Sequence, residues 1–378
     1  MRLCAIPVSE YNLEALLRAV EEHFALLEVW DSLRPGMKVL LKPNLLMKRL
    51  PERATTTHPL VVEAVALVLK KHGVTDITLA DSPGGPYTVP LLDSVYKATG
   101  MAEVARRTGI ILNRDTGFRE VSLPGGMVCR SFEIIEPVCE ADFIINLPKL
   151  KTHAQMLLSA GCKNLFGCVP GLRKPELHYR FPQKESFGGM LLDLCAAIKP
   201  GLTIADAVES MEGDGPSAGM VRKTGMTFAS RDVHALDLGL CLFVGIDPRK
   251  VYTLRRAMAS GLCPENPGEL VWLGEKPAPV KGFRMPGSIS LAFSDKAPKV
   301  LKGPIRRLER RFLGPRPKVR AKMCTGCLKC AESCAPGAIG LDGGKAAIDY
   351  SRCIRCYCCQ EMCPAGAIVI HRFSLLRM

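Results

Sequence analysis

The chain has 378 residues, 47% of them hydrophobic and 23% charged, with a formal net charge of +14. At roughly 150 residues per domain that length suggests two or three domains, and the balance is that of a folded globular protein rather than a disordered one. No run approaches about 18 apolar residues without a charge, which argues against a membrane span; Met1 to Glu10 lacks an apolar stretch behind a basic start, so no secretory signal is read and a cytoplasmic location is expected.

The charge is uneven. Residues 296–322 hold eleven Lys or Arg and one acid, Glu309, a local +10, whereas the first 295 residues carry only +2. The cysteines are uneven too: of seventeen, nine fall in the last 55 residues. Without a secretory signal, such clustering favours metal binding over a disulfide framework.

In chain order, Leu13–Val29 reads as a helix and Lys38-Val39-Leu40-Leu41 as a short buried strand. Pro59 to Lys71 has apolar residues at helical spacing, with Pro59 in the first turn and Gly73 after the end. Ile77-Thr78-Leu79-Ala80 is the next strand, Met101–Thr108 a helix, and Asp142-Phe143-Ile144-Ile145 a strand. Phe187–Ile198, Leu202-Thr203-Ile204-Ala205 and Val233–Val244 continue as helix, strand and helix. The alternation predicts an α/β domain over residues 1–285, with a mostly parallel sheet and flanking helices. Residues 286–317, with five prolines amid the basic run, read as a linker containing one short helix, Ile305 to Phe312. Residues 318–378 form a second, small α+β domain.

Ligands on open α/β sheets bind beyond the carboxyl ends of the strands, and the residues after these strands are polar. They are Lys42-Pro43-Asn44, Asp81-Ser82-Pro83-Gly84-Gly85, the run Asn146 to His153, and Asp206 leading to Glu212 and Asp214. Parallel strands would bring all four segments to one crevice. Lys42, Lys149, His153 and Asp206 are the candidate catalytic residues. Lys42, Lys149, Lys151 and His153 would orient an anionic substrate or supply protons, and Asp81, Asp206 and Glu212 are acid–base or metal-binding groups. The Gly161–Cys168 segment offers a further metal candidate in Cys162, Cys168 and His153. No Walker A loop, H-E-x-x-H or nucleophile elbow is present.

The tail carries a repeat. Cys324-x2-Cys327-x2-Cys330-x3-Cys334 recurs 29 residues on as Cys353-x2-Cys356-x2-Cys359-x3-Cys363, and Gly337-Ala338-Ile339 recurs as Gly366-Ala367-Ile368. In two-cluster ferredoxins each run gives three thiolates to one cubane and its fourth to the other. Cys324, Cys327, Cys330 and Cys363 are therefore expected to hold one 4Fe-4S cluster, and Cys353, Cys356, Cys359 and Cys334 the second. Zinc ribbons show two separated C-x2-C pairs instead. Cys358 is an extra thiol, read as a bystander.

This tail resembles a bacterial two-cluster ferredoxin, with Cys363-Pro364 in place and Cys334-Ala335-Pro336 shifted by one residue. Lys42-Pro43-Asn44, Thr56-Thr57-His58-Pro59, Asn146 to His153, Gly161 to Gly167 and Met211-Glu212-Gly213-x-Gly215-Pro216 together resemble the motifs of the domain of unknown function 362 family. That resemblance covers about residues 35 to 250, and such proteins are often fused to a ferredoxin module. It implies an iron–sulfur protein with two functional parts and leaves the reaction open.

The leading expectation is an iron–sulfur oxidoreductase passing electrons to a small-molecule substrate or cofactor in the crevice. The alternative is a non-catalytic electron carrier or an assembly and docking factor. The basic segment fits steering of an acidic electron-transfer partner. With Phe312 as its only aromatic residue it argues against nucleic acid as the partner.

Overall fold

The computed structural model describes residues 1–288 and 314–371. The expected helix Ile305 to Phe312 and most of the basic segment lie outside the described residues.

Ten strands make one mixed sheet. Its spatial order is Val271–Leu273, Arg2–Pro7, Met220–Ser230, Leu202–Glu212, Phe143–Leu147, Val39–Pro43, Ile77–Leu79 and Ile111–Leu112. Lys149–His153 continues along Leu202–Glu212 and pairs with Leu157–Ser159. Six of these pairings are parallel; the antiparallel ones flank Met220–Ser230 and close the Lys149–Ser159 hairpin.

Successive residues of a strand point to opposite faces, and the two cores follow that alternation. Val39, Leu41, Phe143, Ile145 and Ile204 pack on one face with helices Leu13–Leu26, Pro59–Lys71, Val89–Ala98 and Met101–Thr108. Leu3, Leu40, Ile144 and Ala205 pack on the other with helices Lys184–Ile198, Val233–Phe243 and Tyr252–Ala259. Both faces are covered, as a mostly parallel sheet requires. Helix starts are capped: Asn12 Oδ1 accepts from Ala15 N at 3.0 Å, and Asp232 Oδ1 from His234 N at 2.8 Å.

The expected helices Pro59–Lys71 and Met101–Thr108 have those bounds in the structure, and the other three differ by a few residues at an end. The strands differ more. Arg2–Pro7 and Met220–Ser230 were not expected, Leu202–Ala205 runs on to Glu212, and Lys149–His153 is a strand where a loop was expected. The reason is chemical. Lys149, Lys151, Asp206 and Ser210 are buried, so polarity there does not mark solvent.

In the smaller C-terminal part, Arg316–Val319 pairs with Ile368–His371, and Ile339–Asp342 with Lys345–Ile348. Two one-turn helices, Lys329–Glu332 and Cys358–Glu361, carry cysteines from each run. Its apolar core is small, and Cys330, Cys359 and Cys363 are half of its buried residues.

Lys149 and Asp206 face each other in register on neighbouring strands. Lys149 Nζ lies 2.9 Å from Asp206 Oδ2, and neither side chain is more than 1% exposed. Tyr11 OH donates to Asp206 Oδ1 at 2.9 Å, His58 N donates to Oδ2 at 2.9 Å, and the Tyr11 ring stacks on His58. Burial lowers the Lys149 pKa, and the Asp206 charge opposes that. We expect Lys149→Ala to destabilise the fold by about 3–5 kcal/mol, because it leaves a buried carboxylate uncompensated. Denaturant unfolding should register this loss, and the double variant Lys149→Met with Asp206→Asn should recover part of it.

Candidate functional site

The parallel strands Val39–Pro43, Ile77–Leu79, Phe143–Leu147 and Leu202–Glu212 send their following residues to one edge of the sheet. Lys42 ends the first and Asp81 follows the second; Lys42 Nζ sits 2.8 Å from Asp81 Oδ1, both side chains buried. Asp81 Oδ2 accepts from Leu45 N at 2.6 Å. Gly167 is needed beside this pair, since a Cβ there would overlap Asp81 Oδ1 and come within 2.6 Å of Lys42 Nζ. Lys151 Nζ donates to Asn44 Oδ1 at 3.0 Å and to Thr55 O at 2.6 Å. Asn44 Nδ2 donates to Asn164 Oδ1, and Asn164 Nδ2 to Asn146 Oδ1, each at 2.8 Å. Residues from three separate sequence motifs thus form one largely buried amide relay.

Against this edge lies the cysteine-rich part. Arg49 donates to Cys363 O at 3.3 Å and Pro364 O at 3.1 Å, Ser217 Oγ to Glu361 O at 3.1 Å, and Gln360 Nε2 to Asp214 O at 3.1 Å. A Cβ on Gly84 would overlap Met362 Sδ, so this glycine admits the contact. Between the two parts is a cavity of about 80 Å³, ample for several waters or a small molecule. One wall carries Lys42, Asp81, Lys151, His153, Lys163 and His178; the other carries Ser333, Cys358, Glu361 and Met362.

The four candidate catalytic residues therefore occupy two places. Lys42 and His153 line the cavity, whereas Lys149 and Asp206 pair with each other beside Tyr11 and His58. Glu212 accepts from Arg284 N at 3.1 Å and is not in the cavity wall. His153 Nδ1 accepts from Gln155 N at 3.1 Å and Met156 N at 3.3 Å, which leaves the ring proton on Nε2, 3.3 Å from Glu361 Oε1. Burial holds the His153 pKa well below its ordinary value. Burial also lowers Lys163, and brings Lys151 and Lys174 down to about 7.

Sequence reasoning did not single out Lys163, Lys174, His178 or Glu361. Lys174 and His178 are four apart on helix Arg173–Arg180, a spacing that puts them on one face. Glu361 carried no such signal. Cys162 lies against Cys195, with sulfurs 3.2 Å apart, and among the described residues no three His, Cys, Asp or Glu side chains close on a single metal ion.

A second, smaller hollow is lined by Cys334, Cys353, Cys356 and Cys359, one thiol of the first run with three of the second. Cys330 and Cys363 share the small core with Cys324 packed against it, while Cys327 is exposed. Backbone amides point at the sulfurs: Ala338 N donates to Cys334 Sγ at 3.3 Å, Ala346 N to Cys324 Sγ at 3.4 Å, and Ala367 N to Cys363 Sγ at 3.1 Å. Soft thiolates with amide hydrogen bonds to sulfur are the donor set that suits 4Fe-4S cubanes. Ser333 lines both the hollow and the cavity, while none of the eight expected ligand cysteines lines the cavity.

A thylakoid-associated protein of Synechocystis sp. is 36% identical over 238 residues, 61% of this chain and 70% of that protein. Among solved structures, a Thermotoga maritima protein matches with 10% identity and a TM-score of 0.35, covering 55% of this chain and 52% of its own. The lactate racemase apoprotein from Thermoanaerobacterium thermosaccharolyticum matches with 15% identity and a TM-score of 0.38, covering 63% and 52%. The chain thus spans about half the length of both solved structures. No described helix is long and apolar enough to cross a membrane. Residues 323–367 match the 4Fe-4S dicluster domain, and residues 39–241 match the domain of unknown function (DUF362), the family to which this chain belongs.

Proposed function

We propose that this iron–sulfur protein exchanges electrons with a small molecule held in the cavity between its two parts. The observation that carries the reading is the shared wall. Ser333 borders both the thiol-lined hollow and the cavity, and Cys358 faces the cavity between Cys356 and Cys359 of the hollow. Cys324, Cys327, Cys330 and Cys363 would hold one 4Fe-4S cluster, and Cys353, Cys356, Cys359 and Cys334 the other. When bound, the clusters supply one-electron transfer.

The chain's own side chains do the rest. Lys42 and Asp81 line the cavity as a closed ion pair, and His153 holds a proton on Nε2 at the cavity edge. Lys149 and Asp206 act through position, securing the strand that carries Lys151 and His153. Cys327 is exposed, with Lys322 and Lys329 exposed nearby in sequence and the exposed Lys345 donating to Cys324 O. That edge suits an acidic electron-transfer partner, and added salt should slow its reaction, since the Debye length is about 8 Å at physiological ionic strength.

Anaerobic analysis should find about eight irons and eight sulfides, from four cysteines per cubane. Cys327→Ala and Cys356→Ala should each remove a different paramagnetic signal; zinc without sulfide would refute the assignment. Chelating the iron should unfold residues 316–371, whose core is too small to stand without clusters. A proteolysis time course would show this part cleaved and residues 1–288 retained.

The cavity is tested by reoxidation of the reduced protein with a panel of small-molecule acceptors. Leu46→Trp narrows the cavity without replacing a charged group. It should slow reoxidation by the productive acceptor at least roughly tenfold, a barrier change of about 1.4 kcal/mol, with iron content and melting unchanged. Equal rates in both proteins would mean that the cavity is not where electrons are exchanged.

A further inference from the structure

We infer that the cavity takes a small oxyanion, carboxylate- or phosphate-bearing, held by Lys163 and His178. This rests on the cavity reading above and adds the charge class of the occupant.

The wall carries four lysines, Lys42, Lys151, Lys163 and Lys174, against two acidic side chains, Asp81 and Glu361. Lys42 and Asp81 are 2.8 Å apart and cancel. Lys151 is held by neutral acceptors, Asn44 Oδ1 and Thr55 O. Lys174 likewise donates to Ser82 O, Ser82 Oγ and Val169 O, at 2.9 to 3.0 Å. These oxygens satisfy the N–H donors and bring no negative charge. Three lysine side chains then face one carboxylate, Glu361, and the wall is short of negative partners.

The shortfall is localised. Among the described residues Lys163 Nζ makes no hydrogen bond or ion pair; its neighbours are the Phe166 and Phe187 rings, with centroids 4.4 and 5.8 Å away. His178 stacks on Phe187 with centroids 4.1 Å apart, and its buried Nδ1 has no partner. The rings favour a cation electrostatically but accept no conventional hydrogen bond, so an ammonium and an imidazole remain incompletely satisfied on one lining. A buried polar group without a partner costs about 1–3 kcal/mol, and an oxyanion offers acceptor lone pairs to the Lys163 ammonium and, in the tautomer with the proton on Nδ1, to His178 as well. The space is separate from that of the clusters, because none of the eight expected ligand cysteines lines it, and Cys334, Cys353, Cys356 and Cys359 border a different hollow.

The test is calorimetric titration of the full-length, cluster-loaded, oxidised protein with inorganic phosphate and, separately, malonate, at fixed ionic strength. At least one should bind saturably at one per chain in the millimolar range or tighter. Lys163→Gln should weaken it about tenfold or more, the loss of one charge-assisted hydrogen bond, and Lys163→Arg should keep most of the affinity. Binding of phosphate alone points to a phosphate-bearing occupant, and of malonate alone to a carboxylate; either supports the inference. No saturable binding of either probe, or Lys163→Gln binding like the parent, overturns it. Should Lys163→Gln lose iron, His178→Asn provides the same comparison. No electron transfer occurs in this measurement, so its failure leaves the Leu46→Trp reoxidation result standing, and the reverse also holds.

Discussion

Three ammonium groups, Lys42, Lys149 and Lys151, are taken almost wholly out of water at one edge of the sheet. Even after relaxation, desolvating such an ion costs several kcal/mol, so each must be met at short range. Lys149 has Asp206 at 2.9 Å, Lys42 has Asp81 at 2.8 Å, and Lys151 has an asparagine side chain and a backbone carbonyl. Much of the surrounding sequence follows from that requirement. Asn44 must hold its amide toward Lys151 and is itself held by Asn164, which is held by Asn146. Thr57 Oγ1 accepts from Asn44 N and donates to Leu147 O, tying the loop after Val39–Pro43 to the end of Phe143–Leu147.

The glycines serve the same constraint by leaving room. Gly167 lets the Lys42–Asp81 pair press against the backbone, and Gly84 leaves space for Met362. Met362 comes from the cysteine-rich part, so the second glycine is what allows that part to close over the charged edge. The closure is polar: Arg49, Ser217 and Gln360 donate to backbone carbonyls across the boundary. Such a contact surface leaves space where charges cannot pack tightly, and the cavity is that space. Its rim belongs to neither part alone. Lys163 and His178 come from one side, Cys358 and Glu361 from the other.

Much of this was legible in the residues. The helices Pro59–Lys71 and Met101–Thr108 show their bounds through periodicity, proline and glycine. Lys42, Asp81 and the Asn146–His153 run were marked by position after apolar strands, because parallel strands end at a common edge. The strands that hid were those with buried polar residues. Lys149, Lys151 and Asp206 look like loop residues until their partners are known, and a pairing such as Lys149 with Asp206 spans 57 positions of sequence.

By itself the sequence determined the chemistry of the tail, because cluster ligation depends on cysteine spacing over a few residues, and the class of the larger part, because helix and strand periods are local. Only the tertiary structure decided how the candidate cations divide, Lys149 into a closed pair with Asp206 and Lys42 into a cavity wall with His153. It alone decided that the tail closes on that edge, placing Cys358 and Glu361 opposite Lys163. The physical reason is that the compensation of a buried charge is a property of distance in space, and the partners that provide it come from segments with no local pattern in common.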